Sequence, residues 1–146
     1  MRMADMPIAV IMQRRAVQLP WAEDIWGAVA AVPDPGGLPV VRTLAYSEER
    51  ETYLVSGLRL ELYPDENDGY FENWAAPEPK IFVMWRMLSQ RAMPVLASVS
   101  YGEGARMLDS GESADGVAMP AEIHAWLTRY LQAHYQPSRH KGKHHG

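Results

Sequence analysis

The chain has 146 residues, 47% of them apolar and 22% charged, with a formal net charge of −4 and no cysteine. That is about one domain with enough apolar side chains for one core, and the missing cysteines exclude disulfides, a thiolate nucleophile, iron–sulfur ligation and Cys-based zinc sites within the chain. The charge is uneven: the stretch Gln136 to Gly146 holds Arg139, Lys141 and Lys143 and no acid, leaving 11 basic against 18 acidic residues, or −7, elsewhere, and so acidic a body repels nucleic acid, whose non-specific binding needs clustered cations.

Residues 1–6 are expected to be a flexible N-terminus. The apolar run from Pro7 to Met12, followed by Arg14 and Arg15, lacks the small-residue cleavage site of a signal peptide, and no apolar run approaches the roughly 20 residues that span a bilayer. A cytoplasmic protein without a membrane span is expected. Ile8, Val10 and Met12 alternate with Ala9, Ile11 and Gln13, the period of two of a strand. In Trp21 to Val32 the residues Ala22, Glu23 and Asp24 could open a helix, but Trp26, Ala28, Ala30 and Val32 alternate and favour a second strand.

Pro33-Asp34-Pro35-Gly36-Gly37 is a loop, since proline fixes φ and removes donors while glycine admits positive φ. A short strand follows over Val40 to Tyr46, then a polar turn, then the clearest strand, Glu51 to Tyr63, with Leu58, Leu60 and Leu62 on one face. The acidic run Asp65-Glu66-Asn67-Asp68-Gly69 reads as a hairpin turn closed by Asp-Gly, with Tyr70 to Trp74 returning as a strand. Ile81, Val83 and Trp85 alternate with Phe82, Met84 and Arg86, which predicts a strand buried on both faces; Val95, Ala97, Val99 and Tyr101 make one more before a Gly- and Ser-rich loop over 102–116.

The period then changes. Pro120 suits the first position of a helix, Glu122 suits its positive end, and Ile123, Trp126, Leu127, Tyr130 and Leu131 form one apolar stripe over about 120–135. The expected fold is mainly β: an antiparallel β-barrel or sandwich of about seven strands, spanning residues 7–136 and capped by a C-terminal amphipathic helix, with a disordered basic, His-containing tail over 137–146. The order of elements resembles the pleckstrin-homology superfold.

No set of residues carries obvious chemistry. Asp65 to Gly69 fails the spacing of a calcium loop, because Gly69 occupies the fifth position counted from Asp65, not the sixth, and no glutamate stands twelfth. His124 and His134 are ten residues apart on one helix, roughly 15 Å, too far to share a metal; both read as surface residues. His140, His144 and His145 could bind nickel or zinc loosely, but a solubilising end is the simpler reading. No Gly-x-Ser-x-Gly elbow, phosphate loop or paired acid and base is present, so neither a catalytic residue nor a cofactor is expected. Among the aromatics, Trp85 and Trp126 stand at core positions, whereas Trp21, Tyr70, Phe71 and Trp74 lie near loops, where aromatics favour protein interfaces. These four are the candidate partner-binding residues.

MPIAVIMQRR near the start, the Trp21 to Trp26 segment before Val-Pro-Asp-Pro-Gly, the block YLVSGLRLELYPDENDGYFENWAAPEPKIFVMWRM and MPAEIHAWLTRYLQAHYQP near the end resemble the bacterial family called domain of unknown function 3305 over about Pro7 to Pro137. The resemblance implies a gene neighbourhood with molybdenum-dependent formate dehydrogenase and a second small protein, and hence an accessory or assembly role through a dehydrogenase component or that neighbour. It also implies an alternative, an enzyme of molybdenum-cofactor maturation, although the Gly-rich N-terminal loop of a nucleotidyltransferase is missing. A small-ligand-binding barrel is a further alternative. The sequence leaves the oligomeric state open.

Overall fold

The computed structural model describes residues 1–136, and the expected tail over 137–146 lies outside the described residues. Along the chain run β1 (Ala4–Arg15), β2 (Ile25–Pro33), β3 (Val41–Tyr46), β4 (Arg50–Leu62), a single 3-10 turn (Pro64–Glu66), α1 (Asn67–Trp74), β5 (Lys80–Leu88), β6 (Arg91–Ser98), α2 (Tyr101–Asp109), β7 (Ser113–Ala118) and α3 (Ala121–His134). The strands form two antiparallel sheets, ordered β2-β1-β4-β3 and β6-β5-β7. They face each other as a sandwich and do not close into a barrel.

Ile8, Val10 and Met12 of β1 point inward and are fully buried, as their alternation predicts. On β4 the inward set changes parity. Tyr53 and Val55 are inside, but so are Leu60 and Leu62, because an extra residue bulges between the Ile8↔Leu58 and Val10↔Val55 pairs. Gly57, at φ 96°, adopts the left-handed conformation this bulge requires. A second bulge explains the ambiguous pattern of β2: Ile11 pairs with Ala30 and Met12 with Ala28, leaving Val29 extra, so Ala28 and Ala31 rather than Ala28 and Ala30 are buried. A third leaves Val95 of β6 unpaired and exposed while Ala92 and Ala97 are buried.

Three expectations are corrected. Asp65 to Gly69 is not a hairpin turn, and Tyr70 to Trp74 is not a strand: the 3-10 turn and α1 occupy both. Pro64 opens this segment with its missing N–H at a helix start, Asp65 and Glu66 favour the positive end, and Tyr70 and Asn73 face inward at helical spacing. The supposed loop over 102–116 contains α2 and β7. Ser100 caps α2 by accepting the Glu103 N–H at 3.2 Å, and Gly104 sits against the Phe82 ring where a Cβ would overlap it. Glycine there permits close packing of a helix on a strand, and its presence disguised the helix as a loop. Phe82 on the outer face of β5 is buried in this way, while Ile81 and Val83 fill the inner face. Finally, α1 and α2 interrupt the order of elements on which the pleckstrin-homology comparison rests. Trp85 and Trp126 pack on the core from its margin, each half-buried.

Since no ladder joins the sheets, side chains do so. Where β2 approaches β7, one oxygen of Asp115 accepts the Ala28 N–H at 2.9 Å and the Trp85 indole N–H at 2.8 Å. Where β4 approaches β6, Tyr53 donates its O–H to the Ala92 carbonyl at 2.5 Å, and Arg91 pairs with Glu51 at 2.9 Å while lying over the Tyr53 ring. One end of the sandwich is closed by α1 and α3, with Ile123, Leu127, Tyr130 and Leu131 buried as the stripe predicts. Asn73 of α1 ties that end to the sheet, donating to the carbonyls of Lys80 and Val99 and accepting the Lys80 N–H at 2.7, 2.8 and 2.9 Å.

Two stability measurements follow from this. Asp115→Ala strips two partly buried N–H groups of their acceptor and should cost about 2 to 4 kcal/mol in urea unfolding, whereas Asp115→Asn keeps an acceptor and should cost about half as much; equal costs would show that charge, not acceptance, holds the seam. The two-residue turn between β5 and β6 holds Ser89 and Gln90 at φ 52° and 67°. Gln90→Gly should therefore raise stability by about 0.5 to 1 kcal/mol, and an unchanged midpoint would mean the turn is not strained.

Candidate functional site

The four candidate aromatics do not form one cluster. Tyr70, Phe71 and Trp74 lie on α1, which follows the C-terminal end of β4, whereas Trp21 lies in the β1–β2 connection beside the N-terminal end of the same strand. A 13-residue strand therefore separates them.

At the helical end, Tyr70 has no exposed surface. Its phenol accepts the Tyr63 N–H at 2.9 Å and its ring meets Tyr130 edge-on at 6.0 Å. Tyr70 is a core residue and cannot itself touch a partner, which corrects the expectation drawn from its place near a loop. Phe71 and Trp74 are half-buried. Phe71 lies between Trp74 at 5.9 Å and Tyr135 at 5.2 Å. The Trp74 indole stacks on His124, with centroids 5.5 Å apart and planes 9° from parallel, and donates its N–H to Thr128 Oγ1 at 2.7 Å. His124 is thus part of an aromatic ridge, not a plain surface residue. Beside this ridge, an open groove of about 760 Å³ runs between α3 and the proline-bearing 75–79 connection.

The opposite end carries the connections β1–β2, β3–β4 and β5–β6. Arg14 ties the first two together, donating to the carbonyls of Ser47 at 3.0 Å and Glu48 at 3.2 Å and pairing with Asp24 and Glu51, and the Arg91–Glu51 pair brings in the third. From these connections and the adjoining strand ends project Leu19, Trp21, Ile25, Tyr46, Met87 and Leu88, all substantially exposed, Trp21 at 80% and Tyr46 at 68%. A groove of about 510 Å³ between Trp26, Leu88, Gln90 and Met93 lies at this end, with the Glu51–Arg91 pair in its wall. Sequence reasoning found Trp21 but not its neighbours. The signal was present in Leu19-Pro20-Trp21, an apolar triplet in a connection too short to bury it.

Several carboxylates and both described histidines are structurally engaged. Among the described residues no three His, Asp or Glu side chains are placed to hold a metal ion. Glu51 is held by Arg14 and Arg91, and Glu66 accepts from Ser100 at 2.6 Å and Arg106 at 3.1 Å, joining α2 to the turn before α1. His134 lies against Tyr130 at 4.7 Å.

The tyrosines respond most strongly to their surroundings. Burial pushes the Tyr53 phenol up to about 12 and raises Tyr70 further. Loss of water, with its hydrogen bond to the Asp68 carboxylate, pushes Tyr135 up to about 12. In the unfolded chain these groups ionise near 10, so above that pH the folded state holds protons that the unfolded state has released. The stabilising effect is complete below pH 10 and is lost as pH rises towards 12. Thermal midpoints should fall across that window, with much of the phenolate absorbance appearing only on unfolding. Ionisation of all seven tyrosines near pH 10 in a still-folded protein would contradict the burial described.

Comparison with curated proteins and with solved structures gives no match. The family description "Protein of unknown function (DUF3305)" matches residues 7–145, nearly the whole chain, and the protein belongs to that family.

Proposed function

We propose that the domain is a non-enzymatic accessory or assembly factor that acts by protein–protein contact. The partner that the family resemblance implies is a component of a molybdenum-dependent formate dehydrogenase, or the small protein encoded beside it, and in this reading the domain works in the cytoplasm. The observation that carries the proposal is the loop end of the sandwich, where Trp21 stands four-fifths exposed amid Leu19, Ile25, Tyr46, Met87 and Leu88.

Exposing that much aromatic and aliphatic surface is unfavourable by about 25 cal/mol per Å², a cost removed when a partner covers it. Tryptophan and tyrosine at the centre of such surfaces commonly dominate binding energy. The exposed charges nearby have both signs, Arg15 and Arg50 against Glu23, Glu48 and Glu49, which suits a protein's mixed polar surface better than a uniformly anionic lipid or nucleic acid. The partly buried carboxylates Glu51, Glu66 and Asp115 hold structural elements together, which supports a binding role over acid–base catalysis.

Affinity purification of the full chain from cells producing molybdenum-dependent formate dehydrogenase tests the proposal. The unmodified protein should retain a dehydrogenase subunit or the neighbouring gene product. Trp21→Ala should lower its recovery about tenfold or more while shifting stability by no more than about 0.5 kcal/mol, as expected for an exposed side chain. Recovery of neither component, or unchanged recovery with Trp21→Ala, would reject the assignment.

A further inference from the structure

The groove beside Trp74 differs from the loop end in having a simple polar character. Its lining includes Trp74, Pro77, Pro79, Met119 and Ala125, with Arg129 the charged lining side chain. Arg129 is exposed and makes no hydrogen bond or ion pair with another described residue. The other polar groups of the lining are already committed to one another: the Trp74 indole N–H goes to Thr128, the Thr128 hydroxyl donates to the His124 carbonyl at 2.8 Å, and the His124 ring meets the Trp74 carbonyl at 3.3 Å. Pro77 and Pro79 carry no backbone N–H. A bound segment consequently finds an apolar trough, an aromatic wall and a guanidinium.

We infer that this groove binds an extended protein segment in which an apolar side chain lies next to an aspartate or glutamate. The apolar residue covers Trp74, Met119 and Ala125, and the carboxylate pairs with Arg129, whose planar fork suits a carboxylate better than any neutral acceptor. From Ala121 to Arg129 the lining follows α3 for eight helical steps, roughly 12 Å, the length of three to four residues of extended chain. Charge selects against other occupants. A lone guanidinium over an apolar trough is too little for a polynucleotide backbone. A proline-rich ligand would usually draw on the indole N–H that Thr128 has taken. The site shares no lining residue with the Trp21 surface and lies at the other end of β4, so the domain can hold two partners at once.

Selection from a random decapeptide library against the full chain, followed by affinity measurement on the recovered peptides, tests the inference. The enriched peptides should carry Asp or Glu beside an apolar residue. Arg129→Glu should weaken their binding about tenfold or more, Arg129→Gln should do so less, and peptides with the acid changed to Lys should bind Arg129→Glu better than the unmodified protein. Trp21→Ala should leave these affinities unchanged, which separates this site from the loop end. Absence of enriched peptides, enrichment without acidic residues, or an affinity for Arg129→Glu within about twofold of the original would overturn it. Because Arg129 is exposed and unpaired among the described residues, a cooperative melt at the original temperature is expected for both variants and confirms that lost binding is not lost folding.

Discussion

The fold depends on joining two sheets that share no backbone ladder. A four-stranded sheet facing a three-stranded one would be held only by non-directional burial, which tolerates sliding. Asp115 removes that freedom on one side, since a single carboxylate oxygen accepts the Ala28 N–H of one sheet and the Trp85 indole of the other. The indole, on the same sheet as Asp115, holds the carboxylate in place, and the Ala28 N–H is the bond that crosses between the sheets. On the opposite side Tyr53, Ala92, Glu51 and Arg91 perform the equivalent task with a phenol, a carbonyl and an ion pair over an aromatic ring.

With the sheets located, the ends acquire different characters. At the helical end, Asn73 uses its whole amide to satisfy backbone groups of Lys80 and near Val99, which fixes α1 and, through Tyr70 against Tyr130, fixes α3. Buried amides with every group paired are specific rather than strongly stabilising, because each bond replaces one to water. This rigid end presents a groove. At the loop end, the ionic network about Arg14 gathers the connections without covering their apolar residues, and Trp21 is left in solvent. The division resembles that of other sandwiches, in which a packed frame positions loops that carry recognition.

Much of the frame was legible along the chain, because side-chain period reports directly which residues face a core. β1, β5 and the stripe of α3 follow that rule, and β4 follows it on each side of its bulge. Failures occurred where one residue is inserted or where local chemistry has two meanings. The bulges at Gly57, Val29 and Val95 reverse the inward parity, so a fixed period of two cannot be carried through them. Asp68-Gly69 is a turn signal in isolation yet part of α1 once Tyr70 and Asn73 have partners to reach. Gly102 and Gly104 weaken helix propensity, but contact with Phe82 makes small size the deciding property of Gly104.

The sequence by itself determined a mainly β fold without cysteine chemistry, its central strands, its C-terminal helix and its family, because these rest on composition, short-range periodicity and a long characteristic block. Only the tertiary structure decided that the strands form an open sandwich, that Tyr70 is core, and that Trp21 and Trp74 belong to opposite ends. Burial and adjacency are set by contacts between residues far apart in the chain, such as Ala28 and Asp115, which are 87 positions apart, and no local pattern encodes which distant donor will meet a given carboxylate.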